Sequence, residues 1–174
     1  MKERRRNKFI SKSLISNFMK HLFIVRHGNY GMRDLTESGI SQIEQIAKDI
    51  RRIVGKNYSG YYLLSSTAPR AEQTADIIAK AFGIEQFDKD IRLWTRDGND
   101  LSLKNLEEID GMIAPHKEKH DIVTIVTHEE VVLSYPRYCL KQLLNIDKQI
   151  GYIDKGKGIH LNLERKTYQF LPVR

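Results

Sequence analysis

Three short segments concentrate the side chains able to do chemistry: Arg26-His27-Gly28, Ser65-Ser66 with Arg70 close behind, and Thr127-His128-Glu129. Two imidazoles and two guanidiniums suit one kind of ligand. A phosphoryl group carries nearly two negative charges at neutral pH and presents three oxygens, so its capture takes forked donors in a partly desolvated cleft. Arg26 and Arg70 supply the forks. A neutral His27 offers a ring nitrogen to attack phosphorus, provided its other nitrogen donates to backbone. His128, held protonated by the dianion, would donate to an equatorial oxygen as charge shifts in the transition state. Gly28 removes a side chain where backbone must approach the phosphate closely. A single histidine or arginine after a strand is usually a solvated loop residue; joint placement of four such groups is what points to a site.

Positioning them is the task of the surrounding elements. The apolar run 22–25 predicts a buried strand that stops at Arg26-His27-Gly28. Thr36 then precedes a 3.6-period stripe of Ile40, Ile43, Ile46, Ala47, Ile50 and Ile53, a helix with Thr36 as N-cap and Gly55 at its end. Residues 61–64 predict a second buried strand, and Pro69 opens a helix that Gly83 stops. A third strand is expected at 84–87, a polar loop at 88–100 with Leu93 and Trp94 packed down, and a helix at 101–112. Residues 116–120 read as a charged connector. The most strand-like run, 122–126, leads through Thr127-His128 into a helix to about Leu144, disturbed at Pro136. Residues 158–163 and 166–171 predict a closing hairpin. This alternation implies an α/β three-layer sandwich, a mostly parallel central sheet with helices on both faces. Ligands of such sheets sit at the carboxyl ends of the strands, where all three reactive segments fall. A helix beginning near Pro69 or Glu129 would aim its positive end into the same crevice.

The length of 174 residues suits one domain, and 29% charged with 40% hydrophobic residues describes a soluble globular chain. The single cysteine, Cys139, forms no internal disulfide, which makes the cytoplasm the expected compartment. No apolar run approaches the roughly 20 residues that span a bilayer. The net charge of +7 is unevenly placed. Residues 1–20 hold seven basic side chains and one acid, leaving 22 basic and 21 acidic for the rest. A body so nearly neutral exerts little long-range pull on a nucleic-acid backbone, so no nucleic-acid partner is expected. Residues 1–18 are expected to be a flexible or dispensable basic extension, and 19–174 the functional domain. The extension reads as a dispensable basic arm or as sequence upstream of a start at Met19, with an amphipathic helix carrying Ile10, Leu14 and Phe18 on one face as the alternative.

The run Leu22-Phe23-Ile24-Val25-Arg26-His27-Gly28, followed by Leu35-Thr36-Glu37-Ser38-Gly39 and Gln42, resembles the opening of the histidine phosphatase superfamily, the phosphoglycerate-mutase-like group. Ser65-Ser66-Thr67-Ala68-Pro69-Arg70-Ala71-Glu72-Gln73-Thr74-Ala75 is similar to its second signature, and Thr127-His128 after an apolar strand to its third. The resemblance spans about residues 19–163. It implies a phosphohistidine intermediate at His27, a phosphate pocket of Arg26, Arg70 and His128, and neither metal nor cofactor. Thr36, Glu37 and Gln42 would shape the first loop and helix without taking part in catalysis.

One feature departs from the mutase-like pattern. Those members carry a glutamate proton donor soon after an Arg-Leu pair, whereas Arg92-Leu93 here is followed by Trp94, which cannot give a proton. Asp97 or Asp100 could substitute if their loop folds inward. Other branches place the acid after the second histidine, where Glu129 stands; Glu129 is equally well placed to complement a helix dipole. Acid assistance matters most for poor leaving groups such as alkoxides and is typically worth about 10²–10⁴ in rate. The missing acid and the compact length resemble the small phosphohistidine phosphatase branch. The expected partner is therefore a phosphorylated small molecule or a phosphohistidine protein. A phosphoglycerate-mutase-like phosphotransferase and a catalytically silent phosphate- or phosphoprotein-binding module are the alternatives. His116 and His120, four apart, lack an evident third metal ligand. Gly156-Lys157-Gly158 lacks the spacing of a phosphate loop and reads as the turn into the hairpin.

Overall fold

A computed structural model describes residues 19–94 and 101–173. The extension 1–18 and the candidate acids Asp97 and Asp100 lie outside the described residues.

Six strands form one sheet: β1 (His21–Arg26), β2 (Tyr61–Ser66), β3 (Asp88–Asp90), β4 (Ile122–Thr127), β5 (Gly158–Asn162) and β6 (Thr167–Leu171), in the order β3-β2-β4-β1-β5-β6. The four on the β3 side are parallel, and β5 and β6 add antiparallel pairs at the other end. Helices α1 (Glu37–Val54) and α2 (Pro69–Phe82) follow β1 and β2, while α3 (Leu103–Lys117) and α4 (Glu129–Leu144) flank β4 in sequence. From β1 to β2 to β3 the chain moves one way along the sheet, then returns to insert β4. With right-handed crossovers throughout, the reversal puts α1 and α2 on one face and α3 and α4 on the other. Two buried clusters match this. Phe23, Val25, Ile122 and Val126 pack with α1 and α2. Leu22, Ile24, Val123 and Ile125 pack with α3 and α4. Strands buried on both faces read as near-continuous apolar runs, as 22–25 and 122–126 do.

The helix boundaries follow local chemistry. The Thr36 hydroxyl accepts from the Gly39 amide, and Gly55, at φ 67°, ends α1. Pro69 stands in the first turn of α2, and Gly83 closes it in the left-handed region.

Three expectations need correction. The third strand is not 84–87 but Asp88–Asp90, which pairs with Leu64, Ser65 and Ser66. Ile84 and Phe87 pack against the α1/α2 cluster instead. The 116–120 connector is too long, because α3 runs through Pro115 to Lys117 behind a Ser102–Asn105 capping box. Pro136 does not interrupt α4; it is buried.

Candidate active site

The three central strands β2, β4 and β1 are neighbours, and the register sets Arg26 beside Thr127 and Ser65 beside Val126. Their carboxyl ends therefore finish side by side, where the strand order reverses. Adjacent strands lie about 4.7–4.9 Å apart, and the rings of His27 and His128, one residue beyond β1 and β4, have centroids 5.0 Å apart. Arg70, in the first turn of α2, reaches both. The expected convergence is what the fold produces.

His27 is 3% exposed. Its Nδ1 lies 2.9 Å from the Gly28 carbonyl, which can only accept, so Nδ1 carries the proton. Nε2 then keeps its lone pair and accepts from Arg70 Nε at 3.1 Å. Arg70 Nη2 donates to His128 Nδ1 at 3.3 Å, which puts the His128 proton on Nε2, 2.8 Å from the Ser66 hydroxyl. Burial holds the His27 imidazole at about 4, aided by Arg70, Arg26 and Lys155 and opposed by the Gly28 hydrogen bond. Burial, then His27, Arg70 and Arg26, hold His128 at about 3. Without an anion both rings are neutral at pH 7.

Arg26 is held from three sides. Its Nη1 donates to the Tyr152 hydroxyl at 2.8 Å and the Ile153 carbonyl at 2.9 Å, and its Nη2 pairs with Glu129 at 2.5 Å. Its Nε is buried and has no partner among the described residues. An unpaired N–H on a buried guanidinium is costly unless an acceptor arrives, and a phosphoryl oxygen is the acceptor that this chemistry suits. Glu129 is thus bonded to Arg26 at the start of α4, with its side chain 43% exposed.

Gly28 has a steric reason of its own to be bare. A Cβ there would stand 2.7 Å from the Gly39 carbonyl, so the residue is bare because the loop after β1 crosses the start of α1. Gly39 is bare for the same crossing, against the Asn29 carbonyl. Gln42 holds that loop by accepting from the Asn29 amide at 2.9 Å, and Thr74 accepts from the Gly28 amide at 3.2 Å. The first turns of α2 and α4 lack side-chain caps and begin at this site.

Several contributors escaped the sequence reading. Tyr30 sets its ring edge-on to His27 at 5.1 Å, with the Arg70 guanidinium 4.6 Å from its centre. Lys155 stands 4.8 Å from the same ring. Trp94, expected only to pack down, stacks at 6.1 Å beside His128, with Arg70 at 5.8 Å. Tyr152 and Lys155 come from the segment between α4 and β5, which is tied to the site by a Gly156 amide bond to the His27 carbonyl. The only sequence signal for that segment was its glycines, of which Gly156 has φ 67°. Among the described residues, no group of three or more His, Cys, Asp or Glu side chains could hold a metal ion. His116 instead stacks on Tyr62, ring centres 3.4 Å apart. No helix among the described residues is long and apolar enough to cross a membrane.

Comparison with known proteins agrees with the fold. No curated protein matches the sequence. Solved structures do match the fold. The protein histidine phosphatase SixA, in complex with tungstate, aligns at TM-score 0.59 and 17% identity, over 86% of this chain and 93% of its own. SixA of Agrobacterium tumefaciens aligns at 0.58 and 18%, over 90% and 100%. A mycobacterial glucosyl-3-phosphoglycerate phosphatase aligns at 0.57 and 15%, over 87% and 96%. The family model for the histidine phosphatase superfamily (branch 1) matches residues 22–110, just over half of the chain, and the protein belongs to that superfamily.

Proposed function

We propose that the protein is a phosphatase that needs no metal and hydrolyses phosphomonoesters or phosphohistidine through a phosphohistidine on His27. Its partner would be a phosphorylated small molecule or a phosphohistidine protein, and its compartment the cytoplasm. The observation that carries this reading is the tautomer pair: His27 presents an unprotonated Nε2, and the donor masking it belongs to a guanidinium that an oxyanion would recruit.

In the first step the phosphoryl oxygens draw the Arg70 N–H groups away from both imidazoles and take up the unpaired Nε of Arg26. His27 Nε2 forms a bond to phosphorus as the bond to the leaving atom breaks, and that atom departs with the electron pair. The Gly28 carbonyl, bonded to Nδ1–H, stabilises positive charge growing on the ring. The dianion favours protonation of His128, which then donates to an equatorial oxygen. In the second step water attacks phosphorus, the N–P bond breaks, and inorganic phosphate leaves with His27 neutral again.

Glu129 is assigned to orienting Arg26, because its carboxylate is committed to that ion pair. Its partial exposure favours a second reading, in which it protonates a leaving oxygen. The two SixA neighbours lend the phosphohistidine substrate its support, with a fold of the same compact length. The test is release of phosphate from p-nitrophenyl phosphate and from a phosphohistidine peptide in excess chelator. Turnover of both is expected. Turnover of neither would favour a silent phosphate-binding module, and transfer between phosphoglycerates outpacing hydrolysis would favour a mutase.

A further inference from the structure

The charges around His27 exceed what one phosphoryl group needs. Arg26 is already paired with Glu129, so Arg70, a protonated His128 and the remaining capacity of Arg26 suffice for a dianion. Lys155 is left over. It is half-buried, it forms no ion pair among the described residues, and it is near enough to His27 to help lower that imidazole. Its ammonium rests 4.8 Å from the centre of the Tyr30 ring, and that ring meets His27 edge-on. One aromatic ring thus touches both the lysine and the nucleophile. Its backbone is fixed there, because Asp154 accepts from the Lys155 amide at 2.8 Å and Gly156 bonds to the His27 carbonyl. A partly desolvated ammonium with only a ring for company gains most from an anionic partner.

We propose that Lys155 is a specificity-determining residue that receives a second anionic group, a carboxylate, carried by the substrate on the leaving side of its phosphoryl group. This rests on the phosphatase reading above. On a small molecule the carboxylate belongs to the leaving alcohol; on a phosphoprotein it is an acidic side chain next to the phosphorylated residue. Tyr30, in contact with His27, Arg70 and Lys155, holds the lysine beside the phosphoryl pocket.

The test compares 3- and 4-carboxyphenyl phosphate with the matching carboxamidophenyl phosphates, which differ in charge and hardly in shape. At low ionic strength the native protein should show kcat/KM about fivefold higher for at least one carboxylate isomer than for its amide. Lys155→Met should erase that preference, mainly through KM, by lowering the carboxylates about fivefold more than the amides; Lys155→Arg should keep it. Equal loss on carboxylate and amide would place Lys155 on the transferring phosphoryl and overturn the proposal, as would the absence of any preference in the native protein. Neutral amides turned over without a carboxylate preference would sink this inference and leave the phosphatase intact. If nothing is turned over, both fall.

Discussion

Strand β1 carries a histidine pair at each end, buried at its carboxyl end and half-buried at its amino end, and only one pair is equipped for chemistry. Beyond its carboxyl end, His27 and His128 do not bond to each other; each lone pair accepts from Arg70. At its amino end, about 20 Å away and six residues back along the chain, His21 Nδ1 lies 2.9 Å from His160 Nε2. Gln169 donates to His160 Nδ1 at 3.2 Å, so the His160 proton sits on Nε2 and is given to His21. His160 stacks on Phe23 at 4.4 Å. Burial depresses both pairs alike, with His160 at about 3 and His21 lowered. Depression by burial therefore does not mark a site. What differs is the partner: a pair satisfied within itself has nothing to exchange, whereas a pair bonded to a guanidinium releases its lone pairs when an oxyanion arrives.

The sharpest break in this comparison is His27→Ala against His160→Ala. The first should lower turnover by about 10⁴-fold or more with the fold retained; substantial residual hydrolysis would remove His27 as nucleophile. The second should leave kcat within about twofold. It should cost about 2–3 kcal/mol of stability, read by chemical denaturation, because it opens a gap against Phe23 and strands His21 Nδ1. Next in size, Arg70→Ala should reduce kcat/KM by about 10²–10³ and weaken inhibition by inorganic vanadate, and an unaltered vanadate affinity would contradict the exchange of partners. Smaller still, Glu129→Gln should impair phosphoramidates and alkyl phosphates equally if Glu129 orients Arg26; a selective loss on alkyl phosphates would make it the acid.

The smallest effect is on pH dependence. The unfolded chain takes up protons on these histidines below about 6.5, while the folded protein resists until about 4 for His27 and about 3 for His128 and His160. The unfolded state thus binds more protons in this window, so stability is lost as pH falls from about 6.5 toward 4. Saturating phosphate should make that loss shallower through His128, whose protonated form the anion favours. His160→Ala should also make it shallower, but without phosphate. Identical slopes in all three cases would remove the distinction between the pairs.

Much of this was legible in the sequence for a physical reason. Strands buried on both faces leave mostly apolar runs, interrupted in β4 by Thr124, and the reactive residues stand at or within a few residues of their ends, so the gathering of Arg26, His27, Arg70 and His128 at one sheet edge was readable from the sequence. Strand β3 was not, because Asp88–Asp90 is an edge strand whose charged side chains blunt the sheet margin and erase its apolar signal. The roles of Tyr30, Tyr152 and Lys155 were hidden for another reason. They lie in irregular segments without periodicity, and Tyr152 meets Arg26 across 126 residues of chain. Gly28 was singled out for backbone approach to the phosphate; its crossing with the Gly39 carbonyl left no sign in the sequence.

The central claim is that phosphorus becomes bonded to His27. Rapid quenching into alkali during turnover of a radiolabelled phosphomonoester tests it directly, since a phosphoryl group on imidazole survives base and is lost in acid. The account predicts a transient, acid-labile label on the peptide containing His27, absent from His27→Ala and accumulating no slower than phosphate appears. Hydrolysis with no label on that peptide, or a label that persists in the variant, would contradict it.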